Sequence, residues 1–168
     1  EDEGQIFVSC AGGKRTQAIF RPKYLDNAEG LFFLKIGVKQ LTGGHSGDDI
    51  NKKRANSIKL LSRFIYLMSE KGKVLLGNLN AGGLHNAIPR DGWAVCAVPM
   101  KDKENIRIDA NVYVSEIEEE YSVTEKSLKF YVESADAADV IEKECAKKII
   151  VALQAVDNGV FAMSQDID

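Results

Sequence analysis

The chain has 168 residues, 45% of them hydrophobic and 28% charged, with a formal net charge of -3 and a pI near 5.5. That length supports one substantial core, and the mild acidity, with Lys and Arg clustered only at Lys52, Lys53 and Arg54, excludes a phosphate-backbone footprint. No run approaches the ~20 apolar residues of a membrane span, and Cys10, Cys96 and Cys145 lie far apart, so buried free thiols are expected in a cytoplasmic protein rather than disulfides or a zinc knuckle.

The chain opens without Met at "EDEGQIF" and is expected to be a piece of something longer. Residues 5–10 and 16–21 read as short strands around the "AGGK" turn. From Leu31, Phe32, Leu34, Ile36 and Val38 alternate with Lys35, Gly37 and Lys39, which predicts a half-buried strand. It runs into "LTGGHSGDD", where Asp48 or Asp49 is placed to cap a helix carrying Ala55, Ile58, Leu61, Ile65 and Met68 at intervals of three or four. Gly72 ends that helix.

Two strands, 73–80 and 93–98, follow, joined by "AGGLHNAIPRDG", which is too long for a tight hairpin turn and marks a functional loop. Residues 102–121 place Ile106, Ala110, Tyr113, Ile117 and Tyr121 on one helical face. A strand over 126–134 and a final helix carrying Ile141, Cys145, Ile149, Ala152 and Val156, capped by Ser134 or Asp136, complete the pattern. The expected fold class is α+β: a ferredoxin-like two-layer sandwich (βαββαβ) with an extra C-terminal helix and short N-terminal strands.

The candidate chemistry lies in two loops. His45, flanked by Gly43, Gly44 and Gly47, is a lone imidazole on a backbone that allows close approach by another molecule. Phosphate is a poor ligand for that loop, because Asp48 and Asp49 would repel it. "AGGKRT" fails the phosphate-loop pattern, since Val8 and Arg15 stand where Gly and Ser or Thr are required. Asn86, beside His85 in the long loop, has an amide able to meet a substrate carbonyl or carboxylate. Ser46 is too near His45 in sequence to define a nucleophile and base.

The stretches "LTGGHSGDDINKKRANSIKLLSRF" and "LNAGGLHNAIPRDGWAV", with "EDEGQIFVSCAGG" ahead of them, closely resemble the lid region of aminoacyl-histidine dipeptidases. These Xaa-His dipeptidases are carnosine-cleaving members of the dinuclear zinc exopeptidases and deacylases. The resemblance implies that residues 1–30 connect from a catalytic domain and that 31–168 form an incomplete lid or dimerisation-type domain. It places both zinc ions and their ligands outside this chain, so that the fragment itself holds no metal and is inactive. His45 matches the histidine that stabilises the oxyanion, and Asn86 matches an asparagine that binds the substrate; His85 departs from the family's arginine. For the parent chain, the implied activity is hydrolysis of a dipeptide by zinc-activated water, with a catalytic-domain glutamate as proton shuttle. The implied partners are that catalytic domain, the dipeptide and a second copy of the chain, with no nucleic acid or membrane.

Two other readings stand beside it: the lid of a related zinc deacylase, and a non-catalytic ferredoxin-like association module. The module would pair through strand 73–80, whose edge ladder is expected to be free, and through Leu60, Phe64 and Leu67 beside the main stripe of the first helix.

Overall fold

The computed structural model describes residues 3, 4, 6, 12–163 and 165. In chain order its elements are β1 (Leu31–Lys39), β2 (Gly44–His45), α1 (Ser57–Glu70), β3 (Leu75–Ala81), β4 (Ala87–Ile88), β5 (Gly92–Pro99), α2 (Lys103–Glu120), β6 (Lys129–Ser134) and α3 (Lys143–Ala155). The main sheet has the order β3-β5-β1-β6 with every neighbouring pair antiparallel. This is the α+β two-layer arrangement expected from the sequence, with α3 as the added C-terminal helix.

Alternation along β1 turns Leu34, Ile36 and Val38 toward the helices, where they join Ala94, Cys96 and Val98 of β5 in the principal core. Burial pushes the Cys96 thiol up to about 12, which keeps it protonated and inert; Cys145 is half-buried and also free, while Cys10 lies outside the described residues. The opposite sheet face carries a smaller cluster of Phe33, Ala97 and Val140.

One support for the association reading falls here. Leu60 and Phe64 are fully buried, with Tyr113 of α2 against the Phe64 ring and the Leu60 carbonyl, and only Leu67 of that trio is exposed. Phe64, Tyr113 of α2 and Phe130 of β6 form a mutual aromatic group with centroids 5.2–5.3 Å apart. Desolvation raises the Tyr113 phenol to about 12, so its hydroxyl keeps its proton and donates to the Leu60 carbonyl at 2.8 Å.

Three boundaries also differ from the sequence reading. Residues 16–21 form no strand, since no neighbouring strand offers them a ladder among the described residues; 5–10, apart from Ile6, lie outside those residues. The cap of α1 is Asn56, whose side chain accepts from the Ile58 amide at 2.9 Å, and not Asp48 or Asp49. Finally, α3 begins at Lys143 instead of near Ser134 or Asp136, and neither Ile141 nor Val156 is in the helix. Residues 135–141 are used as an extended strap: the Ile141 amide donates to the Leu76 carbonyl at 2.9 Å, and Asp139 O lies against Gly77. The strap is itself tied to the incoming chain through Leu25 N to Val140 O and Glu142 N to Lys23 O, both 2.8 Å. The β3 edge is therefore occupied at Leu76 by the chain's own backbone, which removes part of the ladder expected to be free.

Candidate functional site

The two loops singled out in the sequence meet. β2 and β4 pair as a separate two-stranded sheet in which Gly44 opposes Ile88 and His45 opposes Ala87. The Ser46 amide donates to the Asn86 carbonyl at 2.9 Å, so the histidine and asparagine positions come from opposite sides of one short ladder. The second loop is also stitched to the start of α1, by Ser57 N to Pro89 O at 3.1 Å and Ser57 Oγ to Asp91 O at 2.9 Å. Arg90 Nε donates to Leu41 O at 2.9 Å, and Gln40 N donates to Asp91 Oδ1 at 2.9 Å.

His45 is oriented by its own loop. Its Nδ1 accepts from the Gly47 amide at 3.1 Å, with a longer approach from the Asp48 amide at 3.4 Å. Asp48 Oδ2 also lies 3.6 Å from Nδ1, but that carboxylate is almost wholly solvated and the contact is too long to compete with the amide. An Nδ1 that accepts requires the neutral ring to carry its proton on Nε2. The side chain is 52% exposed, which leaves the ring within reach of another molecule.

Asp49 does the anchoring. Its Oδ2 accepts from the His45 amide at 2.8 Å, and its own amide donates back to the His45 carbonyl at 3.0 Å. Oδ1 meets Lys52 Nζ at 2.7 Å and Arg54 Nη2 at 3.0 Å, while Arg54 Nη1 donates to the Gly43 carbonyl. The glycines serve this packing more directly than they serve an outside molecule. A Cβ on Gly43 (φ +63°) would collide with the Arg90 side chain, and one on Gly44 (φ +144°) would collide with the guanidinium of Arg54. In the sequence Arg54 is only part of a basic run, and Asp48 or Asp49 reads as a helix cap. Of the two acids that weigh against phosphate, Asp49 is committed to Lys52, the His45 amide and Arg54, while Asp48 stays solvated.

The Lys52 hydrogen bond, then the His45 amide and the charge of Arg54, lower the Asp49 carboxyl from 3.8 to about 2. Because the folded value is depressed, the ordering that Asp49 contributes is complete above its unfolded value of 3.8 and is lost as pH falls through about 2. Amide exchange followed by NMR should show protection at His45 declining across that window, while amides in β1 and β5 hold. Equal loss in all three places would show that Asp49 does not anchor the loop.

The α+β sandwich thus carries His45 and Asn86 on adjacent loops away from its core. Over 166 residues, 98% of this chain and 34% of its relative, the sequence is 33% identical to the Cytosol non-specific dipeptidase of Escherichia coli (strain K12). The fold superposes on the crystal structure of Aminoacylhistidine Dipeptidase from Vibrio alginolyticus with a TM-score of 0.84 and 29% identity, covering 89% of this chain and 31% of that one. The chain thus spans about a third of the length of each of these dipeptidases, and its similarity to them supports a peptidase-related domain. No family model matches it.

Proposed function

We propose that this chain is the lid segment of a dipeptidase and that it closes over an active site built by the rest of its parent chain, in the cytoplasm, to help hydrolyse Xaa-His dipeptides. The observation that carries the reading is the acceptance of the Gly47 amide by His45 Nδ1 on a half-exposed ring, which leaves Nε2 as the nitrogen free to donate, in a ladder whose facing strand follows Asn86. A donor held in that way meets a scissile carbonyl oxygen and stabilises the negative charge that develops on it. The Asn86 amide then holds the ground-state dipeptide.

The zinc implied by the resemblance is not fitted by the described residues of this chain. Among those described, no three His, Cys, Asp or Glu side chains gather as a ligand set. The ions would be held by the parent's other residues, and the part played by this chain is to orient the substrate and to donate a hydrogen bond.

Assay of the whole enzyme against a dipeptide panel that includes Xaa-His members tests the reading, and no hydrolysis of any Xaa-His dipeptide would overturn it. In the same assay, Asn86→Ala is expected to raise KM about tenfold, roughly the worth of one hydrogen bond to the substrate. A fall in kcat at constant KM would instead make Asn86 a transition-state contact.

A further inference from the structure

The neck of the His45 loop is closed by a residue far away in sequence. Glu125 lies in the turn between α2 and β6 and is only 6% exposed. Its Oε2 accepts from the Thr42 amide at 2.6 Å and its Oε1 from the Ala55 amide at 2.9 Å. One carboxylate therefore grips both ends of segment 42–55, which contains the glycines, His45, Asp49 and Arg54. Thr42 Oγ1 adds a bond to the Thr124 carbonyl at 2.7 Å, and the Glu125 amide is itself tied to Tyr121 O at 2.9 Å, so the turn that holds the clamp is held in place.

None of the ion pairs among the described residues includes Glu125. Burying a carboxylate without a cation is costly unless strong hydrogen bonds replace its water. Here they come from two backbone N–H groups that no other acceptor in the neighbourhood serves. A neutral residue satisfies one such donor; only a carboxylate accepts on both oxygens with no N–H of its own to turn away.

We propose that Glu125 is a positioning residue for His45: by fixing the two ends of segment 42–55, it sets where Nε2–H points when the lid closes. This rests on the role proposed above for His45. Displacement of a catalytic contact by about 1 Å costs up to ~100-fold in rate, so even a small shift of the loop tip on loss of the clamp is read in kcat.

Glu125→Gln keeps the size of the side chain but places an NH2 against an amide donor, which breaks one of the two bonds. In the whole enzyme, assayed well below its melting temperature, this variant should lower kcat about tenfold or more with little change in KM. In a His45→Ala background it should lower kcat no further, because the group it positions is gone. Glu125→Asp, which keeps the carboxylate on a shorter stem, should recover part of the loss. By amide exchange, Glu125→Gln should speed the Thr42 and Ala55 amides at least about tenfold and leave those of β5 unchanged.

Unchanged kcat in Glu125→Gln, or the same fold-loss with and without His45, would overturn the proposal. So would failure of both the Gln and Asp variants to fold, since Glu125 would then support the whole domain and not one loop. If His45→Ala alone leaves kcat intact, the proposed role of His45 fails, and the Thr42 and Ala55 exchange rates still decide whether Glu125 clamps the segment.

Discussion

Replacing His45 by alanine in the whole enzyme is expected to cut kcat about a hundredfold or more, a loss of about 3 kcal/mol of transition-state stabilisation, with KM nearly constant. The effect falls on kcat because a donor aimed at a developing oxyanion interacts more strongly with the transition state than with the bound dipeptide. The fold should not notice. The imidazole is 52% exposed, and the bonds that hold the loop use the backbone of His45, which alanine retains: its amide to Asp49 Oδ2 and its carbonyl to the Asp49 amide. Only the contacts from the Gly47 and Asp48 amides to Nδ1 are lost, at a solvated position where substitutions cost within about 0.5 kcal/mol. Steady-state kinetics and thermal melting of the same preparation read both halves. Near-normal kcat, or a clear drop in melting temperature, would make His45 an ordinary loop residue.

Phe64→Ala is expected to destabilise the domain by about 3–5 kcal/mol, the usual cost of deleting a fully buried aromatic. Phe64 is 0% exposed and touches Tyr113 and Phe130 at ring centroid distances of 5.2 Å, so its removal opens a cavity where α1, α2 and β6 converge. At this chain length the melting temperature should fall by roughly 10 °C or more. Leu67, one turn further along α1 and 40% exposed, is the control: Leu67→Ala should cost less than about 1 kcal/mol. The sequence pattern treats these two residues alike, as apolar neighbours of the main stripe. Similar losses at both would place Leu67 against something that covers it.

What the sequence determined by itself is the part of the protein governed by local periodicity. Phe32, Leu34, Ile36 and Val38 alternate at the period of a strand, and Ile106, Ala110, Tyr113 and Ile117 recur at that of a helix; both elements appear where that spacing puts them. Right-handed crossovers then leave one economical sheet order, and β3-β5-β1-β6 is that order. The two loop motifs were legible too, because glycines interrupt these periods around His45 and ahead of Asn86.

Tertiary structure alone decided how those loops are held. Asp49 reads as a helix cap by its position, but the His45 amide, Lys52 and Arg54 claim its carboxylate once the loop folds back. Residues 135–141 read as the approach to a helix, yet the unsatisfied Leu76 carbonyl at the sheet edge draws Ile141 into a strap. Leu60 and Phe64 look like spare apolar surface, yet both are buried, with Tyr113 of α2 against the Phe64 ring and the Leu60 carbonyl. Glu125 has no local signal at all. Its partners are 83 and 70 residues away, and a carboxylate that answers two distant backbone amides leaves no period, cap or motif in the chain around it.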